Sequence, residues 1–128
     1  MRVLKTKTFA RWTRKEGVAD AALRAAVKEI RVGLVEANLG AGLVKKRIAR
    51  PGRGKSGGWR TVLATNLRDR WVFLYGFAKN ERDNVDDDEL RSLKLLAQTY
   101  LGFDEDTIDG LVEAGELKEV RDVEPETA

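Results

Sequence analysis

The spacing of apolar residues along this chain switches between strand-like and helix-like periods, and the switches mark its elements. Residues 2–7 alternate loosely between apolar and polar, which predicts a short first strand. Thr8 stands where it can cap a short helix over 9–16, and Gly17 stops it. A longer helix is predicted over 19–38, where Leu23, Val27, Ile30 and Leu34 fall on one stripe. Arg24, Lys28 and Arg31 lie on its other sides, and Gly40 with Gly42 ends it.

The period then returns to that of strands. LVKKRIA (43–49), WRTVLAT (59–65) and RWVFLYGFA (70–78) are rich in β-branched and aromatic residues. Only Asn66 to Asp69 separate the last two, which is hairpin spacing. The 70–78 run is apolar at nearly every position, which predicts a central strand covered on both faces. Asp83, Asn84 and Asp86 to Glu89 crowd the start of a third helix, where carboxylates complement the helix dipole. That helix spans 87–101, buries Leu90, Leu93, Leu96 or Ala97 and Leu101, and stops at Gly102. A last helix over 105–114, then Gly115 and the strand-like LKEV, follow. The predicted order is β-α-α-β-β-β-α with an antiparallel meander and an extra C-terminal helix, a single α+β domain. Residues 1–102 form that domain, and 103–128 form an acidic extension packed on it or trailing from it.

Composition narrows the chemistry. The 128 residues include no cysteine and no histidine, so disulfides, thiolate sites and the usual zinc or iron ligand sets are excluded and no cofactor is expected. MRVLKTKTF has no apolar signal core, and no apolar run approaches the ~20 residues of a membrane span. A soluble, cytoplasmic chain with no membrane partner is the expectation. The formal net charge of +3 conceals a division. Residues 1–80 hold 19 Lys and Arg against 5 Asp and Glu, whereas residues 103–128 hold 2 against 10. The basic body favours a phosphate backbone. The acidic tail is either a solvated terminus or an internal counter-charge.

Charge is densest from Lys45 to Arg60, with seven basic residues, no acidic one and four glycines. Within it, ARPGRGKS fits a relaxed phosphate-loop pattern, but GKS leads into Gly57, Gly58 and a strand rather than a helix. The segment is therefore a basic hairpin. Lys45 and Arg47 stand two apart on one strand and Arg60 opens its partner, so the three can converge on one sheet face. Such convergence suits an anionic ligand, and a solvated turn is the bland alternative. Lys79 and Arg82 follow the central strand, with Glu81 as a local counter-charge. Trp59, Trp71, Tyr75 and Phe77 read as core, although one of them can offer a stacking face to a base.

GKSGGWR, RWVFLYGFAKNERDN and the helix opening DDDELRSLKLLA together resemble the RelE/HigB-type toxins of bacterial type II toxin–antitoxin systems, in the branch with KSGGxR and FAKNERxN motifs. The resemblance runs along nearly the whole chain. It implies a microbial-ribonuclease-like fold and a ribosome-dependent mRNA endoribonuclease that inhibits translation through metal-independent 2′-OH attack. It also implies a cognate antitoxin, often of helix-turn-helix type, through which any oligomer would form. By the same resemblance Lys45 or Lys46 is the general base and Arg60 stabilises the pentavalent phosphate. Arg47, Lys55, Lys79 and Arg82 would bind substrate or ribosomal RNA. Where well-studied members have an arginine and a tyrosine, this chain has Asn80 and Asp86, which leaves the proton donor unassigned. The alternative from another class is a non-catalytic RNA- or DNA-binding module of the same fold.

Overall fold

Six strands build one mixed sheet with helices on both faces in the computed structural model, which describes residues 1–50, 54–82 and 84–121, and of residues 54–56 the backbone alone. The elements run β1 (Arg2–Thr6), α1 (Lys7–Glu16), α2 (Asp20–Arg31), β2 (Ala37–Gly40), β3 (Leu43–Arg50), β4 (Gly54–Thr65), β5 (Arg70–Ala78), α3 (Asp87–Gly102), α4 (Glu105–Glu113) and β6 (Leu117–Glu119). Their order across the sheet is β2-β3-β4-β5-β1-β6. β1 pairs parallel with β5, and every other pair is antiparallel. The fold is the expected α+β domain.

Three boundaries differ most from the sequence reading: β4 begins at Gly54 rather than Trp59, and two helix boundaries move. Thr6, not Thr8, caps α1, accepting the Phe9 amide at 3.0 Å. The second helix ends at Arg31 rather than 38, because Gly33 adopts φ +94° and turns the chain. Leu23, Val27 and Ile30 are buried as the stripe requires, but Leu34 lies beyond the helix and is 58 % exposed. The released residues form β2, an edge strand that the apolar pattern did not reveal. A turn through Gly40, Ala41 and Gly42, all at positive φ, returns β2 onto β3. A side chain at Gly42 would also lie 2.5 Å from Leu101 Cδ1.

Strand alternation splits the core into two layers. Val3, Leu63, Trp71 and Phe73 face α1 and α2 with Phe9, Leu23 and Val27. Leu4, Val62, Ala64 and Val72 face α3 and α4 with Leu93, Ala97 and Ile108. Leu96 points outward at 42 % exposure, so Ala97 is the buried one of that pair. A β-bulge interrupts the alternation: Val62 pairs with Tyr75 but Leu63 pairs with Phe73, which leaves Leu74 unmatched. Leu74 and Tyr75 therefore both pack on the α3 side. Gly76 is returned to the α1 side, under the Trp12 ring.

The acidic C-terminal region is part of the same sheet. Arg2 reaches Glu105, Asp109 and Glu119 at 2.5–3.1 Å, joining β1, α4 and β6. Buried Arg70 donates to the Tyr100 and Phe103 carbonyls at the end of α3 and to Glu105 Oε2 at 2.5 Å. These bonds answer the unmet carbonyls of a helix C-terminus. Residues 122–128 lie outside the described residues.

Two outcomes test this packing. A Cβ on Gly76 would fall 2.4 Å from Trp12 Cζ3, closer than van der Waals contact allows. Gly76→Ala should lower the stability measured in urea by about 1–3 kcal/mol, the usual cost of overpacking. The second concerns Glu89, which completes the capping box of α3 with Asp86. Its hydrogen bonds from Arg82 and from the Asp86 amide hold its pKa down at about 2, against 4.5 unperturbed. A depressed folded-state pKa adds stability that is fully present above 4.5 and lost as pH falls toward 2. Glu89→Gln should flatten that acid limb of the pH–melting-temperature curve.

Candidate nucleic-acid cleavage site

Register places the basic residues before any side chain is considered. Lys45 pairs across β4 with Val62, and Val62 pairs with Tyr75 on β5. One step along, Arg47 pairs with Arg60, and Arg60 with Phe77. These two rows lie on the α3 side of the sheet, about 5 Å apart between neighbouring strands. Lys45, Arg60, Tyr75 and Phe77 are thus held by three adjacent strands.

Arg60 is the anomaly of this surface. It is 3 % exposed, yet neither Nε nor Nη1 has a hydrogen-bond partner among the described residues. Nε lies 3.2 Å from Glu36 Oε1 but off the hydrogen-bond line. Buried guanidinium groups normally satisfy all their donors, since an unmet buried donor costs about 1–3 kcal/mol or more. Lys45 is equally enclosed at 8 % exposure; its ammonium donates to Asn84 Oδ1 at 3.2 Å and sits 3.7 Å from Glu36 Oε2. Glu36 therefore spans both cations.

The two lysines read as equivalent from the sequence are not equivalent. Lys46 alternates to the opposite face, where it donates to the Leu34 carbonyl at 2.8 Å and pairs with Glu29 of α2 at 2.6 Å. The structure does not bring it to Lys45 and Arg60. Arg47 is exposed and lines an edge cleft of about 420 Å³ with Leu34, Val35, Glu36 and Lys46. Lys79 is half-buried just beyond β5, its amide bonded to the Gly58 carbonyl at 3.1 Å. The side chain of Lys55 lies outside the described residues.

Arg82 is committed inside the molecule. Its guanidinium donates to Tyr75 Oη at 2.9 Å, to both oxygens of Glu89 and to the Asn84 carbonyl at 3.0 Å. It also lies 5.9 and 5.5 Å from the Tyr75 and Phe77 ring centres. The Glu89 carboxylate raises its pKa above the ordinary guanidinium value. Arg82 thereby ties the post-β5 loop to α3 and fixes the backbone of Asn84, the residue that holds Lys45. Asp86, at one of the two departures from the resembling family, is the N-cap of α3 and accepts the Glu89 amide at 2.8 Å. Asn80, at the other, is exposed in the turn after β5.

Three residues of this cluster were not singled out from sequence. Glu36 was hidden inside a helix drawn too long, and Gly33 was the signal that could have freed it. Asn84 was counted only among helix-capping residues. Tyr75 read as core, because a bulge cannot be seen in an unbroken apolar run. Beside Tyr75 a mainly apolar recess of about 310 Å³ is walled by Asp88, Glu89, Ser92 and Leu93.

No curated protein is similar enough to this chain to count as a match. The family model described as the RelE toxin of the RelE / RelB toxin-antitoxin system matches residues 1–120, from β1 through β6. Members of that family are generally mRNA endoribonucleases, and each toxin has an antitoxin partner. With its whole sheet and all four helices inside the match, this chain belongs to the RelE toxin family.

Proposed function

We propose that this toxin is a ribosome-dependent mRNA endoribonuclease that works without a metal, in the cytoplasm, and is silenced by a helix-turn-helix antitoxin. The observation that carries the catalytic part is Arg60: a buried guanidinium with an unmet Nη1 on a rigid sheet, beside an enclosed ammonium. Nε and Nη1 are closed to solvent, so a phosphate oxygen meets this group once the side chain turns toward it; bidentate guanidinium–phosphate contact is among the stronger hydrogen-bonding arrangements. The charge that develops on a pentavalent phosphorus makes the contact stronger in the transition state than in the ground state.

RNA supplies its own nucleophile. The 2′-oxygen attacks the adjacent phosphorus, the P–O5′ bond breaks, and the products are a 2′,3′-cyclic phosphate and a 5′-hydroxyl. Arg60 and Lys45 hold the phosphoryl oxygens. The leaving 5′-oxygen takes its proton from the Tyr75 hydroxyl, which Arg82 holds in place at 2.9 Å. Arg82 acts as a positioning residue, and Arg47 and Lys79 line the path of the RNA backbone. The Tyr75 recess has the size and aromatic wall to take a base.

Expression of the chain without its antitoxin should arrest growth, and primer extension should show new mRNA cuts within codons. Arg60→Ala should restore growth and slow cleavage by about 10²–10³-fold, the usual cost of one transition-state donor. Arg60→Lys keeps the buried charge for folding but lacks Nη1, and should also cleave slowly. Normal growth with abundant soluble wild-type protein would sink the toxin reading. Translation arrest with intact mRNA would favour a non-catalytic RNA-binding module instead.

A further inference from the structure

We propose that Glu36 is the general base that takes the 2′-hydroxyl proton; this rests on the endoribonuclease reading above. A base must present a lone pair. A guanidinium is always protonated and an ammonium has donors only, so neither Arg60 nor Lys45 presents one in its charged state. Lys45 moreover donates to Asn84 and faces Glu36 as its counter-ion at 3.7 Å. Lys46 is on the other face, bound to Leu34 and Glu29. Among the described residues Glu36 is the carboxylate that touches both Lys45 and Arg60, and its oxygens present the lone pairs a base needs.

The nearby carboxylates are spoken for. Glu89 accepts from Arg82, the Asp86 amide and, at 3.5 Å, Tyr75. Glu36 accepts no hydrogen bond among the described residues and keeps 27 % of its side chain exposed. It also lines the 420 Å³ edge cleft, so a ribose can approach it from solvent. One of its oxygens lies 3.2 Å from Nε of Arg60 and the other 3.7 Å from the Lys45 ammonium. A phosphate held between Arg60 and Lys45 would lie beside Glu36, which reaches both cations, and the 2′-oxygen is joined to that phosphate through only C2′, C3′ and O3′. Proximity of this kind is worth orders of magnitude in rate.

In the step, the 2′-O–H proton moves to a Glu36 carboxylate oxygen as the 2′-O–P bond forms. The P–O5′ bond breaks and O5′ takes the Tyr75 proton. Glu36 then releases its proton to water, and the Tyr75 phenolate recovers one from water. Lys45 and Arg60 have a second task, holding the carboxylate in place between substrates.

Glu36→Gln separates a base from a structural counter-ion, because the two roles move kcat and KM differently. Purified full-length chain is assayed on programmed ribosomes, with Glu36→Asp and Arg60→Ala alongside. Glu36→Gln should lower kcat about 10²–10⁴-fold, the usual contribution of a general base. KM should stay level or fall, since a negative charge has left a phosphate site. Glu36→Asp should recover part of kcat, and serves as the charge-retaining variant if Glu36→Gln folds poorly. Wild-type kcat in Glu36→Gln, or a loss confined to KM, overturns the assignment. With Arg60→Ala inactive and Glu36→Gln active, the endoribonuclease reading stands and the base assignment alone fails. Wild-type protein that cuts no mRNA overturns both.

Discussion

The cost of keeping Arg60 and Lys45 out of water governs the design of this sheet. Removing an isolated ion from water costs several kcal/mol even after the protein relaxes. Two cations on neighbouring strands repel each other as well. The structure offsets this incompletely: Glu36 spans both, Asn84 takes one ammonium hydrogen, and two Arg60 nitrogens remain without a hydrogen bond. On the endoribonuclease reading proposed above, a second anion would meet that deficit. A scaffold that bore the cost for stability alone would gain by an apolar pair at the same positions, as buried ion pairs elsewhere often do when replaced.

Rigidity is what keeps the deficit from relaxing. Arg60 sits in the middle of β4, which is paired with β3 on one side and β5 on the other, so its backbone position is fixed by the sheet. The bulge at Leu74 adds the other half of the site. By reversing the alternation it puts Tyr75 and Phe77 on the same side as Arg60 and gives the opposite side to Gly76. Arg82 then lies against both rings and bonds to Glu89, which ties the bulge to the first turn of α3. One local irregularity so couples helix capping, aromatic packing and the placement of Asn84.

Much of this was legible in the chain. Period-2 runs located β3, β5 and β4 from Trp59 onward, and their spacing let Lys45, Arg47 and Arg60 converge on one face, where the register sets Arg47 opposite Arg60. Carboxylates before residue 90 marked the start of α3 because Asp86 and Glu89 satisfy its first amides locally. What stayed hidden depends on long-range pairing. β2 is four residues long and bears two glycine-adjacent turns rather than an apolar alternation. Its existence follows from the β3 edge it meets, and Glu36 becomes a site residue only once that edge is occupied. Lys46 and Lys45 look alike in sequence, and only the facing of the sheet separates them. The end of α2 was readable, since Gly33 at positive φ cannot continue a helix.

Net charge turns out to be a poor guide to where RNA would lie. The basic body holds only five acids in its first 80 residues, and each is engaged: Glu16 with the Trp59 indole, Asp20 with Lys5 and the Arg121 amide, Glu29 with Lys46, Glu36 with Lys45 and Arg60, and Asp69 with Asn66. The acidic C-terminal third serves the same purpose on a larger scale. Glu105, Asp109, Glu116 and Glu119 neutralise Arg2, Arg70 and Lys7, which removes those cations from the pool available to a phosphate backbone. Of the two readings of that tail, internal counter-charge is therefore the one that residues 105–119 fulfil. On the endoribonuclease reading proposed above, discrimination between adhesion and cleavage would fall to a few groups at short range, where the position of one carboxylate against one guanidinium matters more than the sum of the charges.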